Sequence, residues 1–83
     1  MFKDKKLLIT GGTGSFGNAV LKRFLNSDFS EIRIFSRDEK KQESMRIALG
    51  CDRVKFYIGD VRNFDSIHEA LNGIDYVFHA AAL

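Results

Sequence analysis

Glycines at 11, 14 and 17, set between a short apolar run and an amphipathic one, are spaced to hold a pyrophosphate. The segment Thr10-Gly11-Gly12-Thr13-Gly14-Ser15-Phe16-Gly17 follows Leu7-Leu8-Ile9 and opens a helical pattern. Four backbone N–H groups in the first turn of a helix lack helical partners, and the helix dipole adds positive potential there. An anion satisfies both, provided no Cβ blocks its approach. Two registers fit, Gly12-x-Gly14-x-x-Gly17 and Gly11-x-x-Gly14-x-x-Gly17. The second is preferred, because Thr10-Gly11 ends the strand and Thr13 and Ser15 flank Gly14. In that register Gly11 makes the tight turn, Gly14 admits the pyrophosphate and Gly17 lets helix and strand pack closely. A glycine-rich turn without a ligand is the plain alternative. No Gly-Lys-Ser/Thr follows, so a Walker A loop is excluded.

A second set of polar residues follows about 20 positions on, where an acid would bind a ribose 2′-hydroxyl and an arginine a 2′-phosphate. Ser36-Arg37-Asp38-Glu39 stands there, with Lys41 just beyond. Ser36 can donate a hydroxyl and Arg37 a guanidinium, so NADP is expected in preference to NAD. Asp38 is the contrary residue: turned inward, it would hold a hydroxyl and repel a phosphate. Ser36 and Glu39 also fit a capping box, which makes the segment an ordinary charged first turn. A third set, Gly59-Asp60-Val61, suits an adenine, with the acid accepting from the amino group and a backbone N–H donating to the ring. An aspartate in a turn explains it equally well. Ala80, Ala81 and Ala82 are small enough to let backbone approach the ribose and nicotinamide side. His79 reads as a structural histidine and His68 as a solvated one.

These residues need a scaffold of alternating strands and helices. Lys5 to Thr10 reads as a strand of the continuously apolar kind found in parallel sheets covered on both faces. Phe16, Ala19, Val20 and Phe24 recur at helical spacing, ending at Asn26-Ser27-Asp28. Ile32 to Phe35 is the second strand. A helix capped by Ser36 runs to Leu49 and stops at Gly50. Val54 to Ile58 is the third strand. Asn63 caps a third helix with Phe64, Ile67 and Leu71 on its apolar face and Gly73 as its stop. Tyr76-Val77-Phe78 is the fourth strand. The predicted class is α/β, half of a doubly wound parallel Rossmann sheet with strand order 3-2-1-4, since right-handed crossovers put strands 2 and 3 on one side of strand 1 and strand 4 on the other. Residues 1–83 are thus expected to be a partial dinucleotide-binding domain from a longer chain, lacking its substrate half.

Composition narrows the class further. A hydrophobic content of 45% with 29% charged residues is globular. The net charge of +2 is interspersed, and Asp4 interrupts Lys3, Lys5 and Lys6, so no nucleic-acid partner is expected. The single cysteine, Cys51, excludes an internal disulfide and suits the cytoplasm. No metal-ligand spacing, signal peptide or membrane segment is visible.

Taken together, the glycine segment, Ser36-Arg37-Asp38-Glu39, Gly59-Asp60-Val61-Arg62 and His79-Ala80-Ala81-Ala82-Leu83 resemble the extended short-chain dehydrogenase/reductases. The resemblance is strongest to the bacterial polysaccharide-biosynthesis members that act as inverting UDP-N-acetylglucosamine 4,6-dehydratases. It implies an NADP that takes hydride from C4 of a UDP-sugar and returns it to C6 after water leaves across C5–C6. It also implies pyrophosphate contacts at Ser15 and Phe16, 2′-phosphate contacts at Ser36, Arg37 and Lys41, adenine contacts at Asp60 and Val61, and ribose contacts at Ala80 to Ala82. The family's Tyr-x-x-x-Lys pair is absent: Val61 and Ala80 stand four residues after Tyr57 and Tyr76. No catalytic residue is therefore expected within 1–83, and the UDP-sugar would bind a part beyond Leu83, in a homo-oligomeric parent protein. A UDP-sugar 4-epimerase on the same scaffold and a non-catalytic NAD(P)-binding sensor are the rival readings.

Overall fold

The computed structural model describes residues 1–80. Seven elements alternate along them: β1 (Lys6–Thr10), α1 (Ser15–Phe24), β2 (Glu31–Ser36), α2 (Glu39–Leu49), β3 (Val54–Ile58), α3 (Phe64–Leu71) and β4 (Tyr76–His79). The four strands are parallel, in the order β3-β2-β1-β4. This is the α/β class and the strand order expected.

The apolar run of β1 splits between two cores, because successive side chains of a strand face opposite ways. Leu7 and Ile9 join Ile32, Ile34 and Val54 from the neighbouring strands, with Val20 and Leu21 of α1 covering them. Met45 and Leu49 of α2 pack against the same cluster. Leu8 and Phe35 face the other way and meet Ala70 of α3, with Ile67 and Ile74 at the edge. Two helices thus cover one face and one covers the other. Because the strands are parallel, their four C-terminal ends lie on the same side of the sheet, and the order reverses between β1 and β4.

Three details depart from the sequence-based expectation. In α1 the buried residues are Gly17, Val20 and Leu21, while Phe16 is 62% exposed and Ala19 is also exposed. The buried stripe is shifted because Gly17, with no side chain, is the point where the helix touches the sheet. In α3 the contact is made by Ala70 and Ile67, and Phe64 is exposed, stacked on His68. The third departure lies at α2. Ser36 does not cap the helix; it is the last residue of β2, in register with Ile58 of β3. Asp38 is the cap, and its carboxylate accepts from the Lys41 backbone N–H at 2.9 Å. The Ser36–Glu39 capping box is absent because strand pairing holds Ser36 two residues ahead of the cap position.

Other punctuation is as expected. Gly50 ends α2 in the left-handed region and donates to Arg46 O, and Asn63 caps α3 by accepting from Ser66 N. A buried arginine was not foreseen. Arg33, on the central strand β2, donates from Nη1 to Ala70 O (2.9 Å) and Asn72 O (2.6 Å), and from Nε to Glu31. It satisfies carbonyls that the end of α3 leaves free and so ties α3 to the sheet.

Candidate functional site

At the C-terminal ends of the strands a cavity of about 880 Å³ is lined by the β1–α1 turn, the β2–α2 turn, the β3–α3 turn and Ala80. The four glycines of the first turn serve different needs. Gly11 has φ 68°, a left-handed conformation that any side chain would strain. Its N–H donates to Phe35 O at 2.8 Å, which fastens the turn to β2. A Cβ on Gly12 would lie 2.6 Å from the Ile34 side chain, and one on Gly17 only 2.3 Å from Gly11 O. Those two are required by packing. Gly14 differs. Its φ is −78°, and its nearest neighbour to a built Cβ is Gly11 O at an ordinary 3.5 Å. Nothing within the described chain demands glycine there; the space it leaves opens on the cavity. Gly14 is also the N-cap of α1 and contributes no side-chain cap, and no acidic residue stands in the first turn. By contrast α2 and α3 are capped by Asp38 and Asn63. The first-turn N–H groups of α1 are thus left for an anion, and Thr13, Ser15 and Phe16 line the cavity beside them.

The β2 end supplies a second wall. Ser36 is 8% exposed and its Oγ accepts from Gln42 Nε2 at 2.9 Å. Arg37 is exposed, with Nη1 3.7 Å from the Asp60 carboxylate across the opening. Asp38 borders the cavity, but its carboxylate is committed to capping α2. Lys41 is not among the cavity's lining residues; its backbone N–H takes the cap and its side chain is exposed.

Asp60 and Val61 form the third wall. Asp60 accepts from the Arg62 backbone N–H (2.9 Å) and from Arg62 Nη2 (2.8 Å). The Arg62 side-chain hydrogen bond, helped by the Arg62 N–H and by the charges of Arg62 and Arg37, draws the Asp60 carboxyl down to about 2. It stands ionised as an acceptor, the state that an amino group needs. Ala80 N–H donates to Thr10 O at 3.0 Å and the residue borders the cavity. Ala81 and Ala82 lie outside the described residues. His79 Nδ1 and Thr10 Oγ1 are 2.6 Å apart, so this histidine has a structural partner.

Gln42 was missed in the sequence, and Gly59 and Arg62 were quoted within a motif without a role of their own. Gln42 shares a helical face with Met45 and Leu49, and a polar residue on that apolar stripe was the available signal. Gly59 keeps α3 close: a Cβ would lie 2.7 Å from Ser66 and 2.8 Å from Phe35. Among the described residues no group of three or more His, Cys, Asp or Glu is placed to hold a metal. No helix there is long and apolar enough to cross a membrane.

Comparison with known proteins agrees with this geometry. The family model described as polysaccharide biosynthesis protein matches residues 7–83. The UDP-glucose 4-epimerase of Rickettsia felis is 74% identical over an alignment covering the whole chain and 26% of that protein. That of Rickettsia bellii is 72% identical with the same coverage. The chain therefore spans about a quarter of the length of the curated relatives it matches. Among solved structures, Pen from Bacillus thuringiensis superposes with a TM-score of 0.94 at 40% identity, covering all of this chain and 26% of that one. A putative 3-oxoacyl-reductase from the same species superposes at 0.80 with 23% identity, covering 96% of this chain and 37% of that one, a likeness of fold alone.

Proposed function

The chain belongs to the polysaccharide biosynthesis protein family, within the extended short-chain dehydrogenase/reductases, and from that premise we propose that it is the cofactor-holding part of a UDP-sugar 4-epimerase. The observation that carries this reading is the 74% identity, over the whole chain, to a UDP-glucose 4-epimerase. The relatives favour the epimerase over the UDP-N-acetylglucosamine 4,6-dehydratase that the sequence motifs put first.

The cavity suits a nicotinamide dinucleotide, and the cradle left by Gly14 is the reason. The chemistry that cofactor would supply when bound is reversible hydride transfer at the sugar's C4. The residues of this chain hold and orient it. The α1 N-terminus and the Gly14 opening receive the pyrophosphate. Asp60 accepts from the adenine amino group, and Val61 closes the adenine side. Ser36 and Arg37 face the 2′ position, and Asp38, spent on its cap, does not compete there. This arrangement supports NADP over NAD. Small residues from Ala80 onward leave room for the ribose next to nicotinamide.

The test is the full-length protein incubated with UDP-glucose and, separately, with UDP-N-acetylglucosamine, followed by NMR of the sugar. A C4 epimer with its C6 hydroxyl intact is expected. A 4-keto-6-deoxy product would overturn the epimerase reading in favour of the dehydratase.

A further inference from the structure

We propose that Gln42, which lies behind the cavity wall, is a positioning residue that sets the preference for a 2′-phosphate by fixing which way the Ser36 hydroxyl donates. This deepens the NADP reading above and rests on it.

The orientation of the Gln42 amide is fixed by its neighbours. Gln42 is 3% exposed. One end of its amide lies 2.8 Å from Tyr57 O and 3.4 Å from Ser36 O. Backbone carbonyls only accept, so that end must be the nitrogen; a flipped amide would set oxygen against oxygen. The same nitrogen is 2.9 Å from Ser36 Oγ. Gln42 therefore donates to the serine oxygen and occupies one of its lone pairs.

A hydroxyl has a single proton to give. Among the described residues none accepts the Ser36 proton, although the side chain is more than nine-tenths buried and borders the cavity. With the amide holding its oxygen from behind, the proton is directed at whatever fills the cavity. A buried donor is costly to leave unmatched. A phosphate oxygen accepts with charge assistance, and a ribose hydroxyl accepts more weakly. Gln42 thereby converts a serine that could serve either cofactor into a donor that favours the anionic one. Its reach to both Ser36 of β2 and Tyr57 of β3 also fixes the wall at which the phosphate would sit.

The experiment is calorimetric titration of NADP and NAD into the full-length protein and into Gln42→Met, Ser36→Ala and the double variant, with circular dichroism as a check of folding. Gln42→Leu repeats the first variant with a second apolar side chain. Wild-type protein should prefer NADP. Each single variant should lower the NADP-to-NAD affinity ratio by about tenfold, the size of one charge-assisted hydrogen bond. The double variant should lower it no further than either single one. Equal losses for the two nucleotides in Gln42→Met and Gln42→Leu would make Gln42 a packing residue and overturn the inference. So would an unchanged ratio in Ser36→Ala, or losses that multiply in the double variant. A wild-type protein indifferent to the 2′ group would instead remove the NADP reading beneath it.

Discussion

Arg37 and Asp60 face each other across the cavity mouth, 3.7 Å apart, and so join the turn after β2 to the turn after β3. Each residue was assigned by its own motif to a different part of one adenosine, the 2′ position and the adenine. The structure brings the two residues to one opening. Asp60 is held mainly by Arg62, which leaves the exposed Arg37 guanidinium free to swing to an anion with little to break.

Replacing Arg37 by alanine should therefore weaken NADP binding by roughly ten- to a hundredfold, the worth of one or two charge-assisted contacts, while NAD binding changes little. Stability should fall by less than about 1 kcal/mol, because an exposed ion pair contributes little. Calorimetric titration and urea denaturation of the full-length variant measure both. Parallel losses for NADP and NAD would remove Arg37 from the 2′ position.

Gly14 and Gly17 should separate binding from folding. Gly14→Val fills the cavity side of the cradle but meets no backbone closer than 3.5 Å at its Cβ. It should abolish nucleotide binding with the fold retained. Gly17→Ala places its Cβ 2.3 Å from Gly11 O, so it should destabilise the protein by about 1–3 kcal/mol, the usual cost of overpacking. Denaturant midpoints and nucleotide titrations of the two variants should show this crossing pattern. Full affinity in Gly14→Val would place the phosphates elsewhere.

Asp60 should stay ionised well below the usual carboxylate range. Its folded pKa, about 2, lies under the ordinary value of 3.8. A depressed folded value stabilises the folded state above the unfolded pKa. That contribution is full above roughly pH 4 and is lost as pH falls through about 2. Carbon-13 NMR titration of the side-chain carboxyl should find its midpoint there, and Arg62→Ala should move it up toward the ordinary value. A midpoint near 3.8 in the unaltered protein would show that Arg62 does not hold Asp60 in solution.

The glycine turn and the strand order were legible because both follow from backbone rules. Positive φ at Gly11, the close approach at Gly17 and right-handed crossovers leave few alternatives. Helix faces were read less well. Periodicity put Phe16 and Phe64 inside, yet both are exposed, because small residues, Gly17 and Ala70, make the actual contacts and carry no hydrophobic signal. The capping of α2 was misassigned for a related reason. Ser36 and Asp38 are both good caps in isolation, and only the pairing of Ser36 with Ile58 in a distant strand decides between them. Arg33 and Gln42 were overlooked because a charge in a central strand and an amide in a helix look like surface residues until their carbonyl partners are seen. Those partners, Ala70, Asn72 and Tyr57, lie far along the chain.

Residues 1–83 taken alone should self-associate. Within the described residues β4 pairs only with β1, and its other edge is open. Tyr76 and Val77 on it are 46% and 51% exposed. An unpaired apolar edge offers its backbone groups to any second strand, and no proline stands in the chain to discourage pairing. The two cores are also unequal: one has eight buried residues and the other three, Leu8, Phe35 and Ala70. The α3 side is then held in large part by Arg33, whose hydrogen bonds to Ala70 and Asn72 replace apolar area. Removing that arginine should loosen α3 and expose the second core beside the open edge. Sedimentation and light scattering of the 83-residue chain should therefore show self-association, more marked in Arg33→Met, and a shallow denaturation. A monomer with a steep transition at several molar urea would show that the first core alone holds this sheet together and that the open edge of β4 is harmless.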